Sequence, residues 1–239
     1  MKFAADLIEG RLVKRYKRFL ADIELSDGSL VTAHCANPGS MLGFKEPGMK
    51  VWLSESQNPK RKLKYSWELA EVDLGSGPTL VGINTSHPNT LVAEALDQGQ
   101  FKELKTYPTF RREVKYGQSS RVDFLLTRDK KPDCYLEIKN VHLMREDGLA
   151  EFPDSVTKRG ARHLQELSAM VREGHRAVLL YLIQRGDARK FKLARDIDPE
   201  YGAAYDAAIK SGVEFLCYKC DVTIQGIRVS KKLSTRHKL

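Results

Sequence analysis

The sequence predicts a chain in two parts, a small all-β barrel followed by a larger α/β part in which a mixed sheet is covered by helices. Up to about residue 83, short apolar segments of strand length alternate with turn formers, and no segment has a convincing helical period. Gly, Ser, Pro and Asn then concentrate at 75–78 and 86–89. Beyond them, helical and strand patterns alternate, as is typical of α/β proteins. We therefore expect domains at residues 1–83 and 84–239.

In residues 1–83, segments with a strand pattern follow one another at short intervals. The run 26–29, Ser-Asp-Gly-Ser, is a strong hairpin signal because its Asp and Gly suit the backbone of a tight turn. We predict strands at 10–20, 21–25, 30–35, 50–54, 65–72 and 79–85. Five or so short strands without a helix suit a small barrel such as an OB-fold, although another small barrel would give the same pattern.

Two basic runs with interleaved aromatic residues lie in this part, at 14–19 and 60–67. Cations on a barrel face neutralise phosphates, and aromatic rings accept stacked bases. In the alternative interpretation, Tyr16, Phe19 and Trp67 point into the barrel core, which is our expectation for these rings, and the cations are merely solvated. The predicted nucleic-acid contacts are Lys14, Arg15, Lys17, Arg18, Lys60, Arg61 and Lys62.

The segment 34–41, His-Cys-Ala-Asn-Pro-Gly-Ser-Met, follows a predicted strand and is rich in turn formers. Two adjacent ligands such as His34 and Cys35 make no metal site without partners. The amides of 37–40 could instead hold a phosphate. A tight loop in which Asn37 caps its own backbone is the favoured interpretation.

The second part begins with a helix predicted at 91–104, capped by Asn89 or Thr90 and open to a break at Gly99. A long helix is predicted at 155–173, capped by Asp154 or Ser155, with Gly160, Leu164, Leu167 and Val171 on its buried face. The apolar run 176–184 suits a strand buried on both faces. Because a helix at 199–211 separates it from a strand at 213–218, we expect at least one parallel strand pair. Further strands are predicted at 111–116 and 142–144.

A predicted β-hairpin at 121–140 carries the candidate active site. Alternation along its second strand places Tyr135, Glu137 and Lys139 on one face. If the turn is centred near residue 130 or 131, Asp123 on the first strand lies opposite or diagonal to Glu137. Two carboxylates on a sheet are costly unless they are paired or hold a metal, and Mg²⁺ is commonly bound by one or two carboxylates with water and phosphate. The alternative is a surface hairpin with a solvated Glu–Lys pair.

Asp123 with Glu137-Ile-Lys139 resembles the core of the PD-(D/E)xK nuclease superfamily, with Val122 where a proline often stands. Over residues 15 to about 165 the chain also resembles the sugar fermentation stimulation protein A family. The matching phrases are Arg15-Tyr-Lys-Arg-Phe-Leu-Ala-Asp, His34-Cys-Ala-Asn-Pro-Gly-Ser-Met, Asn58-Pro-Lys-Arg-Lys, Trp67-Glu-Leu, Glu113-Val-Lys-Tyr-Gly, Arg121-Val-Asp-Phe, Cys134-Tyr-Leu-Glu-Ile-Lys and Phe152-Pro-Asp.

That resemblance implies an OB-like domain, a restriction-endonuclease-like domain and sequence-tolerant DNA binding. It implies catalysis by Asp123, Glu137 and Lys139, with Mg²⁺ or Mn²⁺ on the two carboxylates. Glu94 on the first helix would be a third acid, which some family members use. Arg159 and His163 lie mostly on the side of the long helix away from the core. Together with Gln165 they are candidates for phosphate contact, against the alternative of a solvated face.

Composition favours a polyanionic partner. The 239 residues have a net charge of +9 and a pI of about 9.3, which suits nucleic acid or an acidic membrane surface, and the clustering of cations with aromatics favours nucleic acid. The longest apolar run, 177–183, is too short to span a bilayer. Without a secretory leader and with four scattered cysteines, we expect a cytoplasmic protein without a membrane partner. The oligomeric state stays open, with a homodimer among the alternatives.

Three functions therefore remain. The first is a divalent-metal-dependent nuclease that binds DNA. The second is a non-catalytic DNA-binding regulator of sugar (maltose) metabolism with a relic nuclease fold. The third, an enzyme acting on a phosphorylated sugar, ranks last because no Gly-rich phosphate loop or nucleophile elbow is present. Cys217 and Cys220 have zinc-like spacing but lack a second pair, and the basic tail 231–238 would serve at most as an electrostatic tether.

Overall fold

The first part of the chain closes into a β-barrel in the computed structural model, which describes residues 1–117 and 120–234. Five strands form the barrel, and a sixth extends the sheet in the order β3-β2-β1-β4-β5-β6. Closure comes from a short parallel pairing of β3 with β5 at Ala33–Tyr65 and His34–Ser66. The strands are β1 (Ile8–Tyr16), β2 (Leu20–Leu25), β3 (Leu30–His34), β4 (Lys50–Glu55), β5 (Tyr65–Val72) and β6 (Thr79–Gly82). The predicted OB-type barrel is confirmed.

The strand predicted at 10–20 is in fact a strand and a hairpin turn. Lys17 and Arg18 have φ values of 48° and 63°, which end β1 and reverse the chain into β2. Phe19 therefore stands at the hairpin tip with 49% of its surface exposed, so its expected place in the core is wrong. Tyr16 is partly buried, and Trp67 is fully buried in the barrel core as predicted.

The second part is built on a mixed six-stranded sheet in the order β15-β14-β12-β9-β8-β7. Its elements are α1 (Pro88–Asp97), β7 (Thr109–Tyr116), β8 (Ser120–Thr127), β9 (Cys134–Val141), β10 (Met144–Glu146), β11 (Leu149–Phe152), α2 (Lys158–Arg172), β12 (Arg176–Ile183), β13 (Lys190–Leu193), α3 (Pro199–Lys210), β14 (Glu214–Thr223) and β15 (Gly226–Lys232). β12 runs parallel to both β9 and β14, which confirms the expected parallel pairing. β10, β11 and β13 form a small separate sheet.

Two apolar cores enclose the central strands of this sheet. α2 and α3 cover one face, where Leu164, Leu167 and Tyr201 pack against Tyr181 of β12. α1 covers the other face, where Leu91 and Val92 pack with residues of β9 and β12. Because β12 is covered on both sides, its apolar run is continuous, as the sequence predicts.

Helix starts and ends differ from the predictions at several points. α1 begins at Pro88, three residues early and without a side-chain cap, and it ends by Gly99, whose φ is 62°. α2 begins late, at Lys158, because Thr157 accepts the cap hydrogen bond from the Gly160 amide. The strand predicted at 142–144 is replaced by β10 at Met144–Glu146, whereas α3 lies close to its expected bounds.

Asp154 does not cap α2, and instead accepts hydrogen bonds from a loop of the barrel. The Met41 amide donates to Asp154 Oδ2 at 3.0 Å, and the Ser40 hydroxyl donates to the Asp154 carbonyl at 2.5 Å. Within the same barrel loop, Asn37 accepts the Gly39 amide at 3.0 Å, so the favoured self-capping interpretation of this loop is confirmed. A loop of the barrel and the segment that leads into α2 are therefore joined directly.

The cysteines and the tail complete the chain. Cys35, Cys134, Cys217 and Cys220 are all buried and free. Lys231 and Lys232 of the predicted basic tail belong to β15, and the tail residues 235–238 lie outside the described residues. No helix within 1–117 and 120–234 is long and apolar enough to cross a membrane.

Candidate active site

The β8–β9 hairpin brings the two predicted carboxylates together. Its paired register runs through Leu126–Cys134 and Phe124–Leu136, so Asp123 and Glu137 occupy the next opposing position. The strands separate there, and Asp123 Oδ2 accepts the Ile138 amide at 2.7 Å in place of a backbone carbonyl. The side chain of Asp123 thus replaces one backbone acceptor in the hydrogen-bond ladder of β8 and β9. This hydrogen bond fixes the Asp123 carboxylate against β9, the strand that carries Glu137.

Asp123 is partly buried and resists ionisation. Its Oδ1 accepts a hydrogen bond from Asn89 Nδ2 at 3.1 Å. Burial, and then repulsion by Glu137, raise the pKa of Asp123 to about 6, against the opposing hydrogen bonds from Ile138 and Asn89. A nearby cationic ligand would remove this penalty because it favours the charged carboxylate.

Glu137 is only 3% exposed, yet its pKa is lowered from the usual value of a glutamate. Its Oε1 accepts from Lys139 Nζ at 2.9 Å and contacts His163 Nδ1. Burial would raise the pKa of Glu137, but the charge of Lys139 and the hydrogen bond from His163 outweigh burial and lower the pKa. Its Oε2 is buried and has no hydrogen-bond partner among the residues described. An unsatisfied carboxylate oxygen of this kind is costly, and it is a ready ligand for a cation.

His163 is where the structure departs most from the predicted site. It was expected on the outer side of α2, but it is 3% exposed and faces Glu137. Arg159 Nε donates to His163 Nε2 at 3.2 Å, so Nδ1 carries the proton and donates to Glu137. Lys139 Nζ, 3.3 Å from Nδ1, is then a close neighbour of the ring rather than its donor. His163 lies three residues after Gly160 and four residues before Leu167, which is the helical spacing of the buried face of α2. This spacing could have predicted that His163 is buried.

Asn89 is a site residue that the sequence analysis did not identify. Its Nδ2 donates to Asp123 Oδ1 and also to Glu113 Oε1, at 3.2 Å. Asn89 sits in the first turn of α1, just after a segment held by the buried barrel residue Glu68. Asn84 Nδ2 and His87 Nε2 each lie 2.7 Å from Glu68 Oε2. The connection between the two parts therefore anchors the donor that orients Asp123.

We expect Asn89→Ala to raise the pKa of Asp123 further, because the hydrogen bond from Asn89 favours the ionised carboxylate. One hydrogen bond contributes about 1 kcal/mol, so the rise should be roughly 0.7 pKa unit. Carboxyl ¹³C NMR titration of metal-free protein measures it. Thr90→Ala, at the next helical position, should leave the titration unchanged, and an equal shift in both variants would contradict the role of Asn89.

The predicted third acid has a different partner. Glu94 Oε2 accepts from the N-terminal ammonium of Met1 at 2.5 Å, so the structure does not bring it into the contacts of Asp123 and Glu137. Tyr116 is influenced by the acids of the site: burial, and then the charges of Glu137, Glu166 and Asp123, raise the pKa of its hydroxyl. The buried side-chain atoms without a hydrogen-bond partner in the described residues include Tyr116 Oη, Ser120 Oγ and Glu166 Oε2.

The donor set fits a hard divalent ion held by few protein ligands. No group of three or more His, Cys, Asp or Glu side chains is placed to hold a metal within the described parts of the chain. Mg²⁺, however, keeps several waters and needs only one or two carboxylates together with substrate phosphate. Asp123, whose pKa is raised, and Glu137, with its unpartnered oxygen, meet that requirement.

The basic runs of the barrel divide into structural and exposed cations. Arg15, a predicted nucleic-acid contact, already has protein partners: its Nη2 donates to the carbonyls of Arg18, Asn37 and Gly39 at 2.9, 2.8 and 3.0 Å. Lys14 lies 3.5 Å from Asp22, and Arg61 Nη2 donates to Ser66 Oγ at 2.7 Å. The side chains of Lys14, Lys17, Arg18, Lys60, Arg61 and Lys62 are all exposed, so Arg15 is the one partly buried cation among these predicted contacts.

Comparisons with known proteins agree with this architecture. Residues 13–83 match the family model described as the N-terminal OB domain of SfsA, and residues 86–226 match the sugar fermentation stimulation protein RE domain. The chain is 56% identical to a sugar fermentation stimulation protein homolog of Azorhizobium caulinodans, covering 96% of this chain and 97% of the relative. It is 53% identical to a homolog of Paramagnetospirillum magneticum, covering 98% and 97%.

A solved structure has the same fold. The structure of Pyrococcus furiosus SfsA in complex with Ca²⁺ superimposes with a TM-score of 0.87 at 24% identity, covering 99% of this chain and 98% of the other. The fold is thus shared across nearly the whole length, and the sequence matches extend over both parts of the chain. The chain belongs to the sugar fermentation stimulation protein family.

Proposed function

We propose that this protein binds DNA without strong sequence preference and hydrolyses phosphodiester bonds at Asp123, Glu137 and Lys139 with the help of Mg²⁺ or Mn²⁺. The observation that carries the proposal is the buried, unpartnered Oε2 of Glu137 beside a second carboxylate, Asp123, whose ionisation is unfavourable without a cation. Carboxylates with strongly perturbed pKa values cluster at functional sites.

Each residue has a distinct task in this proposal. Asp123 and Glu137 would hold the ion, which when bound polarises the scissile phosphate and lowers the pKa of water. Lys139 keeps its ammonium beside Glu137 and offers positive charge to the phosphate as negative charge develops on it. His163 occupies Oε1 of Glu137 and leaves Oε2 for the ion. Arg159, which is exposed and bonded to His163, is positioned for a substrate phosphate.

The second candidate function is DNA binding without catalysis, as in a regulator of sugar metabolism. One observation favours it: the Lys139 ammonium already offsets the charge of Glu137, and His163 donates a hydrogen bond to the same carboxylate, without any metal. A relic site would be expected to keep such a pairing. The two functions share the binding step and differ only in whether a bond is cut.

Cleavage assays decide between the two functions. Purified protein is incubated with end-labelled single- and double-stranded DNA and RNA, with Mg²⁺, with Mn²⁺ and with a chelator, beside Asp123→Asn. We expect metal-dependent products that the variant does not form. If wild-type protein binds the DNA but releases no product with either ion, the nuclease proposal fails and the binding function remains.

DNA affinity should fall steeply with salt, because log K drops by about 0.9 for each duplex phosphate neutralised. Lys60 and Lys62 are exposed on one loop of the barrel. Replacing both with Ala should reduce the slope by up to about 2, since two counterion-releasing contacts are lost. The exposed pair Lys102 and Lys105 provides a matched double variant outside the basic runs. Fluorescence anisotropy at graded salt measures the slopes, and salt-independent binding would contradict the proposed interface.

A further inference from the structure

The tip of the β1–β2 hairpin carries an exposed aromatic ring. Phe19 is 49% exposed, and it is the one aromatic side chain more than a third exposed within residues 1–117 and 120–234. Its chain neighbours Lys17 and Arg18 are exposed cations with positive φ values of 48° and 63°. Single exposed apolar side chains are ordinary. A phenyl ring beside two cations on a protruding turn has the composition of a nucleic-acid contact.

Hydrogen bonds from neighbouring segments hold this tip in place. The Cys35 amide donates to the Phe19 carbonyl at 2.8 Å. Arg15 Nη2 donates to the Arg18 carbonyl at 2.9 Å and to the carbonyls of Asn37 and Gly39, so one guanidinium joins the tip to the 37–41 loop. A ring on a rigid turn can stack on a ligand with little loss of conformational freedom.

The same contacts place the tip beside the start of α2. The loop that Arg15 holds is bonded to Asp154 through Ser40 and Met41. A Cβ on Gly39 would lie 2.8 Å from Asp154 Oδ2, which shows how closely the loop approaches. Asp154 lies three residues before Thr157, the cap of α2. On this helix Arg159 donates a hydrogen bond to His163, and His163 contacts Glu137. The barrel tip and the exposed Lys158 and Arg159 therefore border one region of the surface.

We propose that Phe19 stacks on an unpaired base of a single-stranded nucleic acid, whose phosphates lie against Lys17 and Arg18 on one side and the start of α2 on the other. This inference rests on the proposed nucleic-acid binding and adds substrate strandedness to it. A base in a duplex is stacked on its neighbours and presents no free face to a side chain, whereas single-strand-binding proteins use aromatic rings in cationic grooves. The ring thus favours single strands, gaps or flipped bases over an intact duplex.

Charge and area argue against a protein partner at this tip. Stable protein interfaces bury about 800 Å² on each side around an apolar centre. Phe19 is a single ring flanked by cations, and the neighbouring exposed residues of α2, Lys158 and Arg159, are also cationic. A single-stranded nucleic acid, which is a polyanion with unstacked bases, matches both the single exposed ring and the surrounding positive charge.

Binding measurements on the full-length protein test the inference in the presence of a chelator, so that no strand is cut. The ligands are a labelled oligothymidylate, the same length of abasic strand and a blunt duplex. Phe19→Ala should weaken oligothymidylate binding roughly 5- to 150-fold, the range expected for one stacked base. Binding to the duplex and to the abasic strand should change less than twofold. Leu30→Ala, at the opposite end of the β2–β3 pairing and 65% exposed, is the matched control and should change none of the three affinities.

A second variant reports the stacking directly. Both natural tryptophans, Trp52 and Trp67, are buried at 6% and 0% exposure, so the indole in Phe19→Trp would be the exposed one. Its fluorescence should be quenched by oligothymidylate and not by the abasic strand, with affinity close to that of wild type.

The outcomes separate this inference from the proposed function. Wild-type protein that binds no nucleic acid overturns both. Salt-dependent binding that Phe19→Ala leaves unchanged, or weakens equally for single strand, abasic strand and duplex, overturns the stacking contact alone. Unchanged fluorescence of Phe19→Trp on saturation with oligothymidylate does the same.

Discussion

Replacing Lys139 with Ala is expected to lower phosphodiester cleavage about 10²- to 10³-fold while metal and DNA affinities stay nearly unchanged. The Lys139 ammonium lies 2.9 Å from Glu137 Oε1 and is mostly buried. In the proposed reaction its charge would act at short range on the scissile phosphate. Removing one such charge from a preorganised site costs a few kcal/mol of transition-state stabilisation. DNA binding depends on many dispersed cations and should not depend on this one.

The carboxylate variants behave differently in the same assays. Asp123→Asn and Glu137→Gln should abolish ion binding and cleavage together, because they remove the charges that hold the ion. Lys131→Ala, on the exposed turn of the same hairpin, is the matched lysine control and should cleave as wild type does. Because Lys139 also neutralises the buried Glu137, urea unfolding of each variant shows how much of a loss comes from stability. Lys139→Ala with wild-type cleavage would contradict the assigned role.

Asp123→Asn is expected to stabilise the metal-free protein at neutral pH. The folded-state pKa of Asp123 is raised from 3.8 to about 6, chiefly by burial. The unfolded chain therefore releases this proton more readily, and stability is lost as pH rises from about 4 to above 6. A shift of roughly 2 pKa units corresponds to about 3 kcal/mol at most, and an isosteric Asn removes that penalty. We expect a gain of about 1–3 kcal/mol at pH 7.5.

Urea unfolding in the presence of a chelator measures this gain in the free energy of unfolding. At pH 4 the wild type and Asp123→Asn should be nearly equal in stability, and at pH 7.5 the variant should be more stable. Adding Mn²⁺ should reverse the order, because ligand binding stabilises only the protein that holds the ion. Asp133→Asn, a partly buried acid at the end of the hairpin turn, is a control without a comparable shift in stability. A variant that is less stable than wild type in chelator at pH 7.5 would contradict the raised pKa.

The barrel and the hairpin could both be predicted from local patterns. Turn formers at short intervals give a barrel of short strands, and the run 176–183 gives a central buried strand. The turn at 128–133 sets the register of β8 and β9, and register alone puts Asp123 across from Glu137. These features depend on residues close together in the chain, so the sequence contains all that is needed to infer them.

The partners of the site residues depend on how distant segments pack. His163 faces Glu137 because of the rotation of α2 on the sheet, and Asn89 reaches Asp123 because α1 starts at Pro88 rather than at 91. Glu94 is held by the chain's own N-terminus, 93 residues away.

Arg15 shows the same division between sequence and tertiary structure. Its place in a basic run suggests a guanidinium that is free to contact a ligand, but this group donates hydrogen bonds to carbonyls 22 and 24 residues away. Alternation along β1 predicts Phe19 inside the barrel, but the positive φ values of Lys17 and Arg18 end the strand before it, so the alternation does not extend to Phe19. Periodicity and turn chemistry act over a few residues, so local patterns are enough to predict most of the helices and strands and the pairing of Asp123 with Glu137. The donors that orient these acids, and the exposure of Phe19, follow from contacts between segments that are far apart in the chain, and no local pattern contains them.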